Sequence, residues 1–572
     1  MRTLLLGLSI CWLTLSVPLQ AANNYLQHNL VATGSASADH SDASLVNPWG
    51  IAFSASGPFW IANQGSAVAS IYNSSGAISA GSVAVPAQPT GIVQNSTSDF
   101  PVAPGVPALF LFCSAAGTIS AWNSAGFVSG AVVKIDHSTS GAIYTGLARA
   151  SYASGSALYA VNFSAGKVEV YDGNFNLLTT SGSFQDPAIP PGFVPYNIWA
   201  SGNKLYVTFA QQNSAKSGPV TAAGSGYVDQ FDVNGSLVQK VAAGAPLNAP
   251  WGLAIAPAKF GDFAGALLVG NFGDGTISAF DVTNSRFLGT LANVSGQTLS
   301  IGGLRALAVG NGGSAGDSNA VYFTADGSQS LFGSVQAAPV INNNGILNAA
   351  GYQLGVAPYT FVSILGNNLA ATTRSWQASD FVNGQLPRSL DGVGVNVNGT
   401  PAYISYISPT QLNVLMPAST STGSTLQLTN NGLSSGATPL QFYALAPAFF
   451  QVGASGFAAA THSDGTLIGP LGVFTPSTKP ARVGEVITIY GNGFGATSPA
   501  QPDGSLVSAP LPLITAPVVM IGGVPAQVAY AGLVAPGLYQ LNVVVPQVDP
   551  GNVAMTAQVG AVTTPSTMIA IQ

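Results

Sequence analysis

Few residues in this 572-residue chain are equipped for chemistry, because only 6% of them are charged. Glutamate occurs twice, at Glu169 and Glu485, and histidine four times, at His28, His40, His137 and His462. The histidines lack the paired spacing of a zinc site, and Asp136 and His137 are strand neighbours expected to point to opposite faces. Gly312-Gly313-Ser314-Ala315-Gly316 and Gly432-Leu433-Ser434-Ser435-Gly436 both spell Gly-x-Ser-x-Gly. A nucleophile elbow needs a strand before that serine and a helix after it, and neither site has that context. Gly491-Asn492-Gly493-Phe494-Gly495 lacks the Lys-Ser/Thr of a phosphate loop and reads as a turn. Cys113 ends the apolar run Leu109-Phe110-Leu111-Phe112-Cys113 and reads as a small buried hydrophobe, not a nucleophile. No catalytic residue is assigned. What remains is a recurring set of amides and phenols with one arginine and one aspartate: Asn47, Asn63, Gln88, Tyr144, Asn162, Tyr196, Asn197, Asn248, Asn271, Arg305 and Asp326. Such groups suit hydrogen bonding to sugars or peptides. The one cofactor they could support is calcium, held weakly by amide carbonyls and a single carboxylate, Asp274 or Asp326. Against that stands the ordinary use of Asn and Asp in turns.

The elements that position these residues must be strands. Lys, Glu and Arg, which normally coat helices, are replaced here by Ser, Thr, Asn, Gln and Gly, so an all-β chain is expected. With 68 glycines and 37 prolines the chain stays below the level of low-complexity disorder. A net charge of −6 gives no electrostatic footprint for nucleic acid or anionic lipid. Arg2, the apolar stretch Leu4 to Val17 and Gln20-Ala21-Ala22 read as an export signal over residues 1–22. The mature chain is therefore expected outside the cell, at the cell surface or in the periplasm. It should have no membrane span after cleavage and, since Cys11 falls in the signal, no intramolecular disulfide.

A short phrase recurs between residues 45 and 335: Trp49-Gly50-Ile51-Ala52, Thr90-Gly91-Ile92-Val93, Thr145-Gly146-Leu147-Ala148, Tyr196-Asn197-Ile198-Trp199, Trp251-Gly252-Leu253-Ala254 and Leu304-Arg305-Ala306-Leu307. The spacings of 41, 55, 51, 55 and 54 residues are those of four-stranded propeller blades with variable loops. Each phrase is followed by an aromatic or branched strand such as Phe59-Trp60-Ile61-Ala62, then by an alternating one such as Lys167 to Tyr171. Six blades are expected over residues 23–337, with glycine where inner strands converge. An open ring would leave unpaired edges, so Tyr25 to Val31 is expected to supply the sixth blade's outer strand. The amides and phenols above then collect on one loop-bearing face, a funnel mouth with no glutamate. Trp49 and Trp251 share one slot, which favours packing over a ligand platform.

After residue 338 the pattern changes. Val397-Asn398-Gly399-Thr400-Pro401-Ala402 matches Ile521-Gly522-Gly523-Val524-Pro525-Ala526 at an offset of 124, and Gln411 to Pro417 matches Gln540 to Pro546 at 129. Ser363 to Leu369 likewise matches Thr488 to Phe494. Matched blocks in register predict a duplicated immunoglobulin-like β-sandwich, residues 338–450 and 451–572.

The stretch Asp42 to Ala52, with Phe59 to Asn63, resembles the opening of a family of exported bacterial propeller proteins, related in architecture to NHL and SMP-30/gluconolactonase-like six-bladed folds. Asn348-Ala349-Ala350, Ser408 to Val414 and Gly484 to Tyr490 resemble a C-terminal module of secreted soil-bacterial proteins with tandem Ig-like, IPT/TIG-type domains. The resemblance implies no particular activity, and architecture alone is not chemistry. The expectation is an exported binding protein whose funnel face takes a polysaccharide, peptide or cell-surface partner. The alternative is a metal-dependent lactonase or other hydrolase of the gluconolactonase-like type.

Overall fold

The computed structural model describes residues 24–34, 37–125, 130–152, 155–453, 455–474 and 478–572. The export signal expected over residues 1–22 lies outside them. The chain divides into two compact units, Asn23–Ala337 and Ala338–Gln572.

The first unit is built from six antiparallel sheets, one for each sequence phrase. From inner to outer strand, blade one is Pro48–Ala52, Phe59–Asn63, Val68–Tyr72 and Ile78–Ala84. Blade two is Pro89–Gln94, Phe110–Ser114, Thr118–Trp122 and Val132–Asp136. Blade three is Tyr144–Tyr152, Gly155–Asn162, Lys167–Tyr171 and Leu177–Leu178. Blade four is Phe193–Ser201, Lys204–Gln211, Tyr227–Phe231 and Leu237–Ala243. Blade five is Pro250–Ile255, Leu267–Asn271, Ile277–Asp281 and Arg286–Thr290. The innermost strands touch in succession, and Leu304–Val309 of blade six returns to Pro48–Ala52 of blade one. The ring is closed. Hydrophobic clusters fill the spaces between blades, as where Trp60 of blade one stacks on Phe110 of blade two with ring centroids 4.2 Å apart.

Blade six takes Leu304–Val309, Val321–Asp326 and Ser330–Ala337, and its fourth strand is Asn24–Ala32 from the start of the unit. That strand runs antiparallel to Ser330–Ala337, from Tyr25 opposite Ala337 to Ala32 opposite Leu331. The Tyr25 ring is buried against Phe260, centroids 4.7 Å apart, and its hydroxyl donates to the Phe260 carbonyl at 3.0 Å. Phe260 belongs to a loop of blade five, so the closing strand is pinned by two blades.

Crowding at the inner strands explains the repeated glycine. A Cβ on Gly50 would stand 2.8 Å from the Thr90 carbonyl oxygen, and one on Gly252 would stand 2.4 Å from that of Arg305.

The second unit contains two sandwiches. In the first, one sheet runs in the order Val340–Asn348, Phe361–Asn367, Gln411–Leu415, Tyr403–Ile407, Arg374–Ser375. The facing sheet is centred on Val393–Val397 and Thr425–Asn430. Thr400–Pro401 pairs in the facing sheet while Tyr403–Ile407 pairs in the first, so the chain changes sheets at Ala402. The second sandwich makes the same crossing with one continuous strand, Val524–Ala535, paired first to Val518–Ile521 and then to Leu538–Val544. The duplication extends to hydrogen bonds. Asn413 Oδ1 accepts from Ser363 Oγ and Gln411 Nε2, both at 3.0 Å, while Asn542 Oδ1 accepts from Thr488 Oγ1 at 3.3 Å and Gln540 Nε2 at 2.9 Å. Asn398 and Gly399, at φ 48° and 81°, make the hairpin turn that their sequence predicts.

Candidate functional site

The axis of the propeller is organised by a bulge that recurs in all six blades. Where each inner strand pairs with the second strand, the register slips: after Pro48/Asn63, Pro89/Ser114, Tyr144/Asn162, Pro195/Phe209, Pro250/Asn271 and Leu304/Ala325. A bulge re-aims the extra residue. The residues at that slot are Trp49, Thr90, Thr145, Tyr196, Trp251 and Arg305. Three of the six strands open with proline, a position at the start of a strand where a missing N–H costs nothing. Each of those prolines follows a left-handed residue, Asn47, Gln88 or Ala249, with φ between 45° and 48°.

Four of the six bulged side chains meet at the axis. Trp49 and Trp251 pack edge to face, centroids 5.7 Å apart, and Tyr196 lies 6.5 Å from Trp49 and 5.2 Å from Phe163. The Arg305 guanidinium lies over Trp49 at 3.8 Å and over Phe272 at 3.7 Å, and its Nη1 donates to Tyr196 Oη at 2.6 Å. Neighbouring blades are stitched at the same level. Thr90 Oγ1 donates to the Tyr144 carbonyl, Thr145 Oγ1 to that of Tyr196, and Asn197 Nδ2 to that of Trp251, each at 2.7 Å. Thr324 Oγ1 donates to the Trp49 carbonyl across the closure. Trp251 Nε1 donates to the Thr145 carbonyl at 3.0 Å. The shared tryptophan slot is thus a packing position, and it is also where the arginine sits.

The residues expected at a mouth separate into groups. Tyr196 and Arg305 belong to the axial cluster, with Asn197 beside them. Asn47 holds the Trp49 indole: its Oδ1 accepts Trp49 Nε1 at 3.1 Å, and its amide also bonds Gln64 Oε1. Asp326 Oδ1 accepts from Ser330 Oγ at 2.6 Å, and that hydroxyl accepts the Asn47 backbone N–H at 3.0 Å. Asn63, Asn162 and Asn271 turn into their own blades. Asn63 Nδ2 donates to Ser70 Oγ at 2.9 Å, Asn162 Nδ2 to Glu169 Oε1 at 3.0 Å, and Asn271 Nδ2 to Thr276 Oγ1 at 3.0 Å. Gln88 serves by its backbone, its carbonyl accepting the Ala115 N–H at 3.0 Å. Asn248 Nδ2 donates to Asp274 Oδ2 at 3.2 Å, while Asp274 Oδ1 caps the turn at Thr276. Both aspartates weighed for calcium are thus occupied in turns, and the described residues hold no group of three or more His, Cys, Asp or Glu arranged for a metal.

Glu169 bonds two of the residues expected at the mouth, Tyr144 and Asn162, from inside blade three, because it sits on the third strand there, opposite Ala160 and two residues from Lys167. Its carboxylate accepts from Tyr144 Oη at 2.5 Å, Tyr171 Oη at 2.8 Å and Asn162, and pairs with Lys167 Nζ at 3.1 Å. Burial works to raise its pKa, but these four donors win and hold it below the usual glutamate value. His137 Nδ1 lies 2.8 Å from Tyr144 Oη, so the His137 ring belongs to this cluster and Asp136, its sequence neighbour, does not. Cys113 is fully buried, and burial pushes its thiol up to about 11.

Sequence reasoning missed Phe163, Phe272 and Gln64 at the axis. The signal was present, since each directly follows the Asn that ends a second strand: Asn162-Phe163, Asn271-Phe272 and Asn63-Gln64.

Fold and axis together define a closed six-bladed propeller joined to paired sandwiches. Residues 356–443, within the first sandwich, match the IPT/TIG domain family. The chain belongs to the family of Uncharacterized protein R648 of Acanthamoeba polyphaga mimivirus, to which it is 34% identical over 334 residues, 56% of this chain and 81% of that protein. It is 31% identical to Uncharacterized protein L690 of the same virus over 51% of this chain and 80% of L690. Among solved structures it is similar to a streptogramin B lyase, at 12% identity, 56% of this chain, 100% of that one and a TM-score of 0.35. It is also similar to a calcium-binding regucalcin from Agrobacterium tumefaciens, at 13% identity, 56% of this chain, 96% of that one and a TM-score of 0.33. No helix among the described residues is long and apolar enough to cross a membrane.

Proposed function

We propose that this is an exported binding protein whose propeller presents its loop-bearing face to a carbohydrate, peptide or cell-surface partner. The observation that supports this reading is the axial cluster, where a recurring bulge gathers Trp49, Tyr196, Trp251 and Arg305 on one axis under a rim that includes the partly exposed amides Asn47 and Gln64. Aromatic side chains and arginine carry a large share of recognition energy, and amides fix orientation. The IPT/TIG match accords with a role in binding.

The test is a screen of the purified chain against neutral and acidic oligosaccharides and peptides, with Gln64→Ala as the rim variant. Saturable binding that Gln64→Ala weakens supports the reading, and no binding to any of these classes removes it. Calcium titration in the same buffer examines the hydrolase alternative: a calcium-dependent rise in melting temperature would favour a metal site on this face.

A further inference from the structure

We infer that the propeller axis is a binding site for the carboxylate of a uronic acid, with Arg305 as its anchor and Tyr196 as the residue that positions it. This rests on the reading that the loop-bearing face binds ligands, and it names the ligand chemistry.

Arg305 is only 7% exposed. A buried charge is normally paired, because desolvating it alone is costly. Among the described residues no carboxylate lies within ion-pair distance of this guanidinium. Asp326 attracts it only from beyond that range, with Oδ1 held by Ser330. The cation is covered instead by aromatic rings, Trp49 from blade one and Phe272 from blade five, the two neighbours of its own blade.

Its donors are mostly unspent. The one hydrogen bond from the guanidinium to a described residue runs from Nη1 to Tyr196. Nε is buried without any acceptor. Nε and Nη2 form the side-on fork of an arginine, two parallel donors spaced for the two oxygens of a carboxylate. Rings on the flanking blades confine the approach to the guanidinium plane, which admits a flat carboxylate better than a tetrahedral phosphate or sulfate. Tyr196 Oη bonds Nη1, on the opposite side of the guanidinium carbon from that fork, and so fixes the plane without occupying the docking edge. The sugar ring is indicated by the rim. Gln64 makes no hydrogen bond through Nε2 to a described residue, its Oε1 being engaged by Trp49 Nε1 at 3.2 Å and by Asn47, so an uncharged amide donor for a hydroxyl stands on the Trp49 indole whose ring carries the anchor.

The experiment is isothermal titration of the full chain with galacturonic acid, galactose and N-acetylglycine at neutral pH. Galacturonate should bind, galactose should not, and N-acetylglycine should bind at least about tenfold more weakly because it lacks the hydroxyls. Arg305→Lys keeps the charge without the fork and should weaken galacturonate at least about tenfold. Tyr196→Phe keeps the ring but removes the bond that fixes the guanidinium, should weaken galacturonate several-fold, and decides the matter if Arg305→Lys does not fold. Equal binding by wild type and Arg305→Lys, or no binding of galacturonate to wild type, overturns the inference. N-acetylglycine binding as tightly as galacturonate overturns the sugar in favour of a peptide carboxylate. A neutral ligand that binds wild type and Arg305→Lys alike would leave the binding face standing while removing this anchor.

Discussion

Glu169 shows what one buried carboxylate requires. It takes hydrogen bonds from Tyr144, Tyr171, Asn162 and Lys167 while only 7% exposed. Tyr144→Phe removes the 2.5 Å donor and leaves the acceptor buried, so it should destabilise the propeller by about 1–3 kcal/mol in chemical denaturation and raise the Glu169 pKa. A cost no greater than that of Tyr171→Phe would show that the two phenols are interchangeable. At this scale the sequence was only partly legible. Residue types along each phrase are evident in the sequence, as is the recurrence of Asn and Tyr beside them. Their directions are not, because side-chain alternation holds only while register is regular and a one-residue slip moves a side chain to another face. The bulge sends Trp49, Tyr196 and Arg305 to the axis and leaves Asn63, Asn162 and Asn271 inside their blades.

Within blade four the weak point is Asp229. This residue, 2% exposed on the strand Tyr227–Phe231, has a buried Oδ2 without a hydrogen-bond partner. Burial, reinforced by Asp186 and opposed by Lys240, pushes its carboxyl up to about 7. Between the ordinary aspartate value near pH 4 and about pH 7 the folded state therefore binds more protons than the unfolded one. Stability must fall as pH rises through that window, by at most about 1.4 kcal/mol per pH unit from this group. Asp229→Asn should melt near wild type at pH 4 and clearly above it at pH 8, and a pH-independent difference would contradict the assignment. The closing strand is the other exposed element. Tyr25→Ala removes a buried ring packed on Phe260 and Phe263 and should cost about 3–5 kcal/mol of propeller stability by urea denaturation. The strands themselves were largely legible, since alternation, turn residues and the need to close an open sheet edge all point one way. The bulges were not, because the repeated glycine records the crowding of blades at the axis but not the slip in register beside it.

The whole molecule follows from duplication at two levels. Six copies of one phrase make a ring, and two copies of another make the sandwiches, down to the paired Gln411-Leu412-Asn413 and Gln540-Leu541-Asn542 bonds. Because each unit has its own apolar clusters, calorimetry of the full chain should resolve two cooperative transitions. Tyr25→Ala should lower one and leave the other unchanged, and a single transition that moves as a whole would contradict this. Domain order was legible because repeats announce themselves at long range. Tyr25 lies opposite Ala337, so the two ends of the propeller segment are bound side by side within a single sheet. Its order of blades is accordingly a matter of where the ribosome starts and not of geometry: fused end to end and reopened in another loop, the same circle should assemble as a permutant, with its seam moved and its axis intact.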